Sequence, residues 1–327
     1  MFKKLFLLTL IAFLAGCAQS PPKETTPKKA NVEKHVATNY LAENGLIADY
    51  KVSKNANYLS ESIGLYMQYL VLNNDSQTFH SLFTAMQNEL LTEQTFIKWK
   101  MGNGITTNAF IDDMRIYEAL QAASDQFNYP PYADFANKIA VSWKKYGLGN
   151  QTPRDFFDFK TKEKAKTLHL SYYNSTAMKE AGFDKAAFKP LENAVASPFF
   201  DEIFQDGRYE TTGNEVNMID QMLIAIQYVT LTHKKEPHFD AFLQSEWEQN
   251  NRVYARFYRD TKEPVESIES TAVYAMLTEY YTQTNQPDFY QKAMDKLNEM
   301  DTSNATTTHF FDYMHKELAL IKKDVSR

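Results

Sequence analysis

The 327-residue chain contains a single cysteine, Cys17, so no intrachain disulfide can form. Glycine is scarce, with 10 residues, and most apolar runs have helical spacing; an all-β chain of this length needs more turn residues. No basic stripe is present. Asp and Glu number 41 against 35 Lys and Arg, and Lys3 and Lys4 fall in a segment expected to be removed, so a nucleic-acid partner is excluded. Gly102-Asn103-Gly104 is too short for a phosphate loop and precedes no Lys-Ser/Thr pair. There is no Gly-x-Ser-x-Gly elbow and no catalytic cysteine. The seven histidines are scattered, and His233 and His238 read as surface residues without a ligand set, so neither a metal nor a cofactor is expected.

The N-terminus accounts for the lone cysteine. Lys3 and Lys4 precede the apolar run Leu5 to Leu14, which is too short for a comfortable membrane span. Leu14-Ala15-Gly16-Cys17 matches the lipobox of bacterial lipoproteins. Residues 1–16 therefore read as a lipoprotein signal peptide, and Cys17 as the lipidated (palmitate-bearing) start of the mature chain. Its acyl chains would hold it to the extracytoplasmic face of the cell membrane. Residues 17–32 are polar and proline-rich and predict a disordered tether; residues 33–327 predict one domain.

That domain reads as about a dozen helices, near 33–43, 60–73, 76–90, 108–126, 131–145, 173–181, 185–195, 215–232, 237–249, 267–283, 286–299 and 309–322. Phe156 to Leu170 and Val253 to Tyr258 read as extended. Ile63, Met67, Leu70 and Val71 form one apolar stripe, whereas Met222 to Leu231 is apolar nearly all round. Helices buried on one side beside helices buried on two imply two concentric layers. No fixed-period repeat favours a solenoid. The predicted fold is all-α, an (α/α)6 toroid or six-hairpin barrel with a short extended or β insertion.

Acids recur at the starts of the buried-looking helices: Glu61, Asp112 and Asp113, Glu215 and Asp220, Glu266 and Glu269. Any one of them is accounted for by first-turn capping and the helix dipole, and Glu266 is read that way. Their number suggests more, because inner helices of a toroid run parallel and present their N-termini at one rim. Paired carboxylates suit glycoside hydrolysis, with one protonated to release the leaving oxygen and one ionised. A helix N-terminus alone lowers a carboxyl pKa, so Glu61 as acid needs desolvation or a like charge from Asp112 or Asp113. Tyr58, Trp99, Tyr172, Tyr173 and Tyr209 are candidates to stack on sugar faces.

Ser60-Glu61-Ser62-Ile63-Gly64-Leu65-Tyr66-Met67 resembles the Ser-Glu-Gly-x-x-Tyr-Gly-Met motif of glycoside hydrolase family 8, in the form seen in exopolysaccharide-linked lipoproteins of Gram-positive bacteria. The Ser-Glu pair and the Met match; the motif glycines and tyrosine do not. Asn74-Asp75 follows, as an Asn-Asp does in the family. Asn108 to Ile116 is similar to the family's Ala-Thr-Asp-Ala-Asp-Leu-x-Ile-Ala, keeping the second Asp as Asp113 and replacing the first by Ile111, with Asp112 able to take over its task. Leu168-His169-Leu170-Ser171-Tyr172 echoes Asn-Pro-Ser-Tyr, and Asp220 stands nearest the family's base, without the accompanying Arg. The resemblance implies Glu61 as general acid, Asp113 (with Asp112) at the scissile subsite, Asp220 as base, an inverting mechanism and a β-linked polysaccharide substrate. The expected function is a membrane-anchored endo-glycosidase acting on extracellular or envelope polysaccharide, with exopolysaccharide synthesis machinery as a further partner. Two rivals stand beside it: a non-catalytic polysaccharide-binding lipoprotein and a helical scaffold.

Overall fold

The computed structural model describes residues 28–325; the signal peptide, Cys17 and most of the expected tether lie outside the described residues. The helices are α1 (Lys28–Asn39), α2 (Ser60–Leu72), α3 (Ser76–Leu90), α4 (Phe110–Gln126), α5 (Pro131–Ser142), α6 (Ser175–Glu180), α7 (Lys189–Glu192), α8 (Met218–Thr232), α9 (Pro237–Asn250), α10 (Thr271–Gln283), α11 (Pro287–Glu299) and α12 (Phe310–Val325). The last five residues of the expected tether are thus helical: α1 starts at Lys28, and Val32 is buried against the core.

The even-numbered helices form a closed inner ring. α2 packs on α4 and α12, α10 on α8 and α12, and α6 bridges α4 and α8. α3, α5 and α11 back onto α2, α4 and α10 from outside. This is the (α/α)6 toroid. Its inner members are buried on several sides: in α10, Ala272 through Thr278 are buried without interruption. Outer helix α11 keeps only Ala293, Met294 and Leu297 buried, at the 3–4 spacing of a one-sided helix.

Between α5 and α8 the chain leaves the helical pattern. Strands β1 (Leu148–Gly149), β2 (Thr152–Pro153), β3 (Phe157–Asp158), β4 (Glu163–Lys164), β5 (Leu168–His169), β6 (Ile203–Gln205), β7 (Arg208–Glu210) and β8 (Glu215–Asn217) lie here, and β9 (Arg256–Tyr258) pairs with β8. β5, β6 and β7 form an antiparallel sheet in which Gln205 faces Arg208 across Asp206-Gly207. Both turn residues have positive φ, 50° and 82°, the conformation an Asp-Gly hairpin turn supplies. This hairpin was not anticipated, and β8 takes the residues 215–217 that were assigned to the start of a helix.

The wide turn Trp143–Gly147 ends α5. A Cβ on Gly147 would sit 2.0 Å from the Trp143 ring, so only glycine lets the indole fold back there. That indole is fully buried and bears on the site below.

Candidate active site

Four of the longer helices carry a side-chain cap. Asp75, Asn217, Glu236 and Ser270 accept amide hydrogens at the starts of α3, α8, α9 and α10, and Asn174 does so for the shorter α6. α2 and α4 do not: Leu59 and Ala109 occupy their cap positions without a capping bond. Glu61 and Asp112 in their first turns therefore do something other than cap, and they meet in a cleft of about 460 Å³ at the N-terminal mouth of the ring. Glu61 from α2, Asp112 from α4 and Asp220 from α8 all line it. Side chains separated by some 50 to 160 positions are brought together because the inner helices run parallel.

Asp112 is the best-tethered of the three. Its Oδ2 accepts from Ser60 Oγ at 2.7 Å, and its Oδ1 from Arg115 Nη1 at 3.0 Å. Burial raises its proton affinity, and the guanidinium and hydroxyl oppose that. Arg115 lies flat along α2 because Gly64 leaves room; a Cβ there would stand 3.1 Å from the Arg115 Cγ and Cδ. Glu61 has its carboxyl pushed up to about 7, first by burial and then by the charge of Asp112, with Arg115 pulling the other way. Asp220 is raised by burial and lowered by a hydrogen bond from Ser171 and by the charge of His169.

Asp113 is not in the cleft. It faces the back of α4, fully buried, accepting from Asn108 Nδ2 at 2.7 Å, Trp143 Nε1 at 2.8 Å and the Ile97 amide at 3.2 Å. Adjacent residues on a helix point about 100° apart, so only one of the Asp112-Asp113 pair can line the mouth. The structure gives that place to Asp112, and the like charge next to Glu61 is Asp112's. The expectation that Asp113 holds sugar is corrected on this ground.

Of the aromatic candidates, Trp99 and Tyr172 line the cleft. Tyr58 does not: its backbone bridges to Ala48, and its side chain packs on the core. Tyr209 does not either; its hydroxyl donates to the Pro190 carbonyl at 2.8 Å and its ring meets Phe204. Tyr173 is buried, its hydroxyl donating to the Ala187 carbonyl. Phe156, exposed in the cleft wall, was missed. So were Arg115, Ser171 and the Asp155–His169 pair. Asp155 lines the cleft and accepts from His169 Nδ1 at 2.8 Å and the His169 amide at 2.6 Å. Burial works to raise the Asp155 pKa, but these bonds outweigh it and hold it low, while the same bond raises His169. An ion pair thus stands beside Asp220. His169 lies inside the Phe156 to Leu170 segment read as extended and Asp155 immediately before it, and no local sequence signal joins two residues 14 positions apart.

No group of His, Cys, Asp and Glu able to hold a metal is found among the described residues. The chemistry available is that of carboxylates whose proton affinities burial raises, with flat rings at the walls.

No family model matches the chain. It is 29% identical to the curated Bacillus subtilis protein named "Putative lipoprotein YdaJ", over 95% of this chain and 90% of that one. It is similar to PssZ from Listeria monocytogenes, whose crystal structure superposes with a TM-score of 0.88 at 49% identity, covering 93% of this chain and 98% of that one. A Clostridium perfringens structure described as a novel alpha-amylase has a TM-score of 0.80 at 20% identity, covering 92% and 99%. Endoglucanase Cel10, a family 8 glycosyl hydrolase from Klebsiella pneumoniae, gives 0.67 at 16% identity, covering 90% and 99%.

Proposed function

Because the chain belongs to the family of PssZ, a remote glycoside hydrolase family 8-like group with the six-hairpin glycosidase fold, we propose that it is a membrane-anchored inverting endo-glycosidase of a β-linked extracellular or envelope polysaccharide. The observation that supports this best is the meeting of Glu61, Asp112 and Asp220 in one cleft, with Glu61 pushed up to about 7.

In this reading Glu61 is the general acid. Burial and Asp112 keep its proton on near neutrality, so it can pass that proton to the departing glycosidic oxygen. Asp220, whose proton affinity burial raises against the pull of Ser171 and His169, is placed to take a proton from the water that attacks the anomeric carbon from the other face. Trp99 and Phe156 offer exposed rings to the sugar faces, and Asp112 with Arg115 offers a fixed acceptor and donor at the cleavage point. The lipobox at Cys17 and the likeness to a protein named as a lipoprotein support the anchor. No described helix is long and apolar enough to cross a membrane.

The test is release of new reducing ends from purified exopolysaccharides, α- and β-linked substrates side by side, with the anomer of the first product read by NMR. The β-anomer of product from a β-linked substrate means retention and overturns the inverting mechanism. A second reading is favoured by the altered motif at Ser62 and Leu65 and by Ile111 in place of an acid: a non-catalytic polysaccharide-binding lipoprotein accessory to exopolysaccharide synthesis or retention. Saturable binding of intact polysaccharide with no new ends selects it.

A further inference from the structure

The ring has a second opening. At the C-terminal ends of the inner helices lies a cavity of about 520 Å³, larger than the cleft that holds Glu61. The two cavities share Ile111, Arg115 and Leu223 as a common floor. All six inner helices contribute to the second one. Its lining grades from apolar to polar outwards: α4 presents Ile111, then Arg115, then Glu118, and α8 presents Leu223, then Gln227, then Thr230.

Several of its polar groups are already engaged. Arg115 is engaged by Asp112 at 3.0 Å on the cleft side, and Lys322 by Glu279 at 3.1 Å. Glu118 takes Asn174 Nδ2 at 2.8 Å and Gln68 Nε2 at 3.2 Å, both on Oε2, which leaves Oε1 as an acceptor. Gln227 spends its Oε1 on the Ser175 amide at 2.6 Å, which leaves its amide hydrogens as donors. Gln283 at the mouth likewise accepts from Thr230 through Oε1. His315, another lining residue, has a buried Nε2 with no hydrogen-bond partner. Its ring is held neutral by burial and by the charges of Arg115 and Lys322.

We infer that this far cavity is a second binding site, for a small neutral polyhydroxylated molecule such as a mono- or disaccharide. Two observations select that class. The residual donors and acceptors are interleaved, which suits hydroxyls that do both. The volume lies in the range of small-molecule sites. Among its polar groups the site shares only Arg115 with the cleft, and neither Glu61 nor Asp220 lines it, so it can be tested apart from the hydrolase reading.

The test is saturation-transfer NMR on the full chain in detergent, with glucose, N-acetylglucosamine and lactose as probes and glucose 6-phosphate and glucuronate as charged analogues. Each probe is read in the wild type and in Glu61→Gln, Trp99→Ala and Gln283→Trp. Gln283 is exposed on its helix, so Gln283→Trp plugs the mouth without entering the core. Transfer from a neutral sugar that survives Glu61→Gln and Trp99→Ala, and is about tenfold weaker in Gln283→Trp at an unchanged melting temperature, supports the site. Three results overturn it: no transfer from any neutral sugar, transfer lost in Trp99→Ala but kept in Gln283→Trp, or stronger binding of the charged analogues. A chain that cuts no polysaccharide yet gives the first pattern removes the hydrolase reading and leaves this site standing.

Discussion

The two mouths of the ring are built from the same six helices and handle charge in opposite ways. At the C-terminal mouth Lys322 is paired with Glu279 at 3.1 Å, and Glu118 is held by the amides of Asn174 and Gln68. At the N-terminal mouth four carboxylates, Glu61, Asp112, Asp155 and Asp220, face one guanidinium, which Asp112 already holds, and one histidine, which Asp155 holds. Unbalanced charge is costly in a partly buried place, and the N-terminal mouth relieves it by leaving a proton on Glu61. The difference teaches where chemistry is stored: in the mouth whose charges are left unsatisfied, not in the larger cavity.

The largest effect expected is Glu61→Gln. It removes the one proton donor, and hydrolysis should fall by about 10²–10⁴-fold while the fold is kept. The stability change should carry a sign. The folded chain binds the Glu61 proton more tightly than the unfolded chain, because its pKa is about 7 against an ordinary 4.5. The contribution is therefore intact below pH 4.5 and lost as pH rises through 7. Glu61→Gln should melt higher than wild type at pH 8 and about the same at pH 4. Retained activity in this variant would take Glu61 out of the mechanism.

Next comes Asp113→Ala, which leaves the Trp143, Asn108 and Ile97 donors unmet in the core. A loss of about 2–4 kcal/mol by denaturant titration is expected. The specific activity of the fraction still folded should be preserved, since Asp113 does not reach the cleft. Loss of turnover without loss of stability would show that the two neighbouring aspartates have been assigned to the wrong sides of α4.

A smaller effect separates Asp112 from Arg115. Asp112→Asn removes a like charge, lowers the Glu61 pKa and should move the alkaline limb of the activity profile down by about one pH unit. Arg115→Met removes an opposing charge and should move that limb up. Gly64→Ala, which crowds the Arg115 stem, should act in the direction of Arg115→Met but more weakly. Shifts of the same sign in Asp112→Asn and Arg115→Met would mean that the variants act through structure rather than charge. The smallest effect is Trp99→Ala, expected to raise KM by about fivefold, near 1 kcal/mol, with kcat little changed.

Most of the ring was legible because buried inner helices and half-buried outer ones leave different periodicities, as Met222 to Leu231 and the sparse stripe of α11 illustrate. Glu61 and Asp220 were found at the cleft because first-turn acids on parallel helices share a rim. Asp113 misled because a motif alignment assigns a residue type to a position but not a direction to its side chain. A one-residue offset in the register of α4 turns the matching acid inward and brings its neighbour to the cleft. Tyr58 and Tyr209 misled for a simpler reason: aromatic rings are as useful to a core as to a sugar. The β5–β7 sheet was missed although Asp206-Gly207 between Ile203-Phe204-Gln205 and Arg208-Tyr209-Glu210 is a strong hairpin signal. It lay between helical segments, where attention to the 3.6 period hid it.

The start of α1 fixes which way the molecule stands. Glu33 in α1 bonds Asn73 at the C-terminal end of α2, while Asn39 at the other end accepts from Val52, close to where Asp49 holds the first amide of α12. α1 therefore runs antiparallel to the inner ring, and Lys28 sits about 18 Å down from the Glu61 mouth, on the side of the far opening. Ten residues separate it from Cys17, a leash of at most about 36 Å. If Cys17 is acylated as its lipobox predicts, the anchor joins the fold at the end away from the Glu61 cleft and leaves that cleft unobstructed. Under the proposed function, the cleft then stays open to polysaccharide strands arriving from the side away from the anchor.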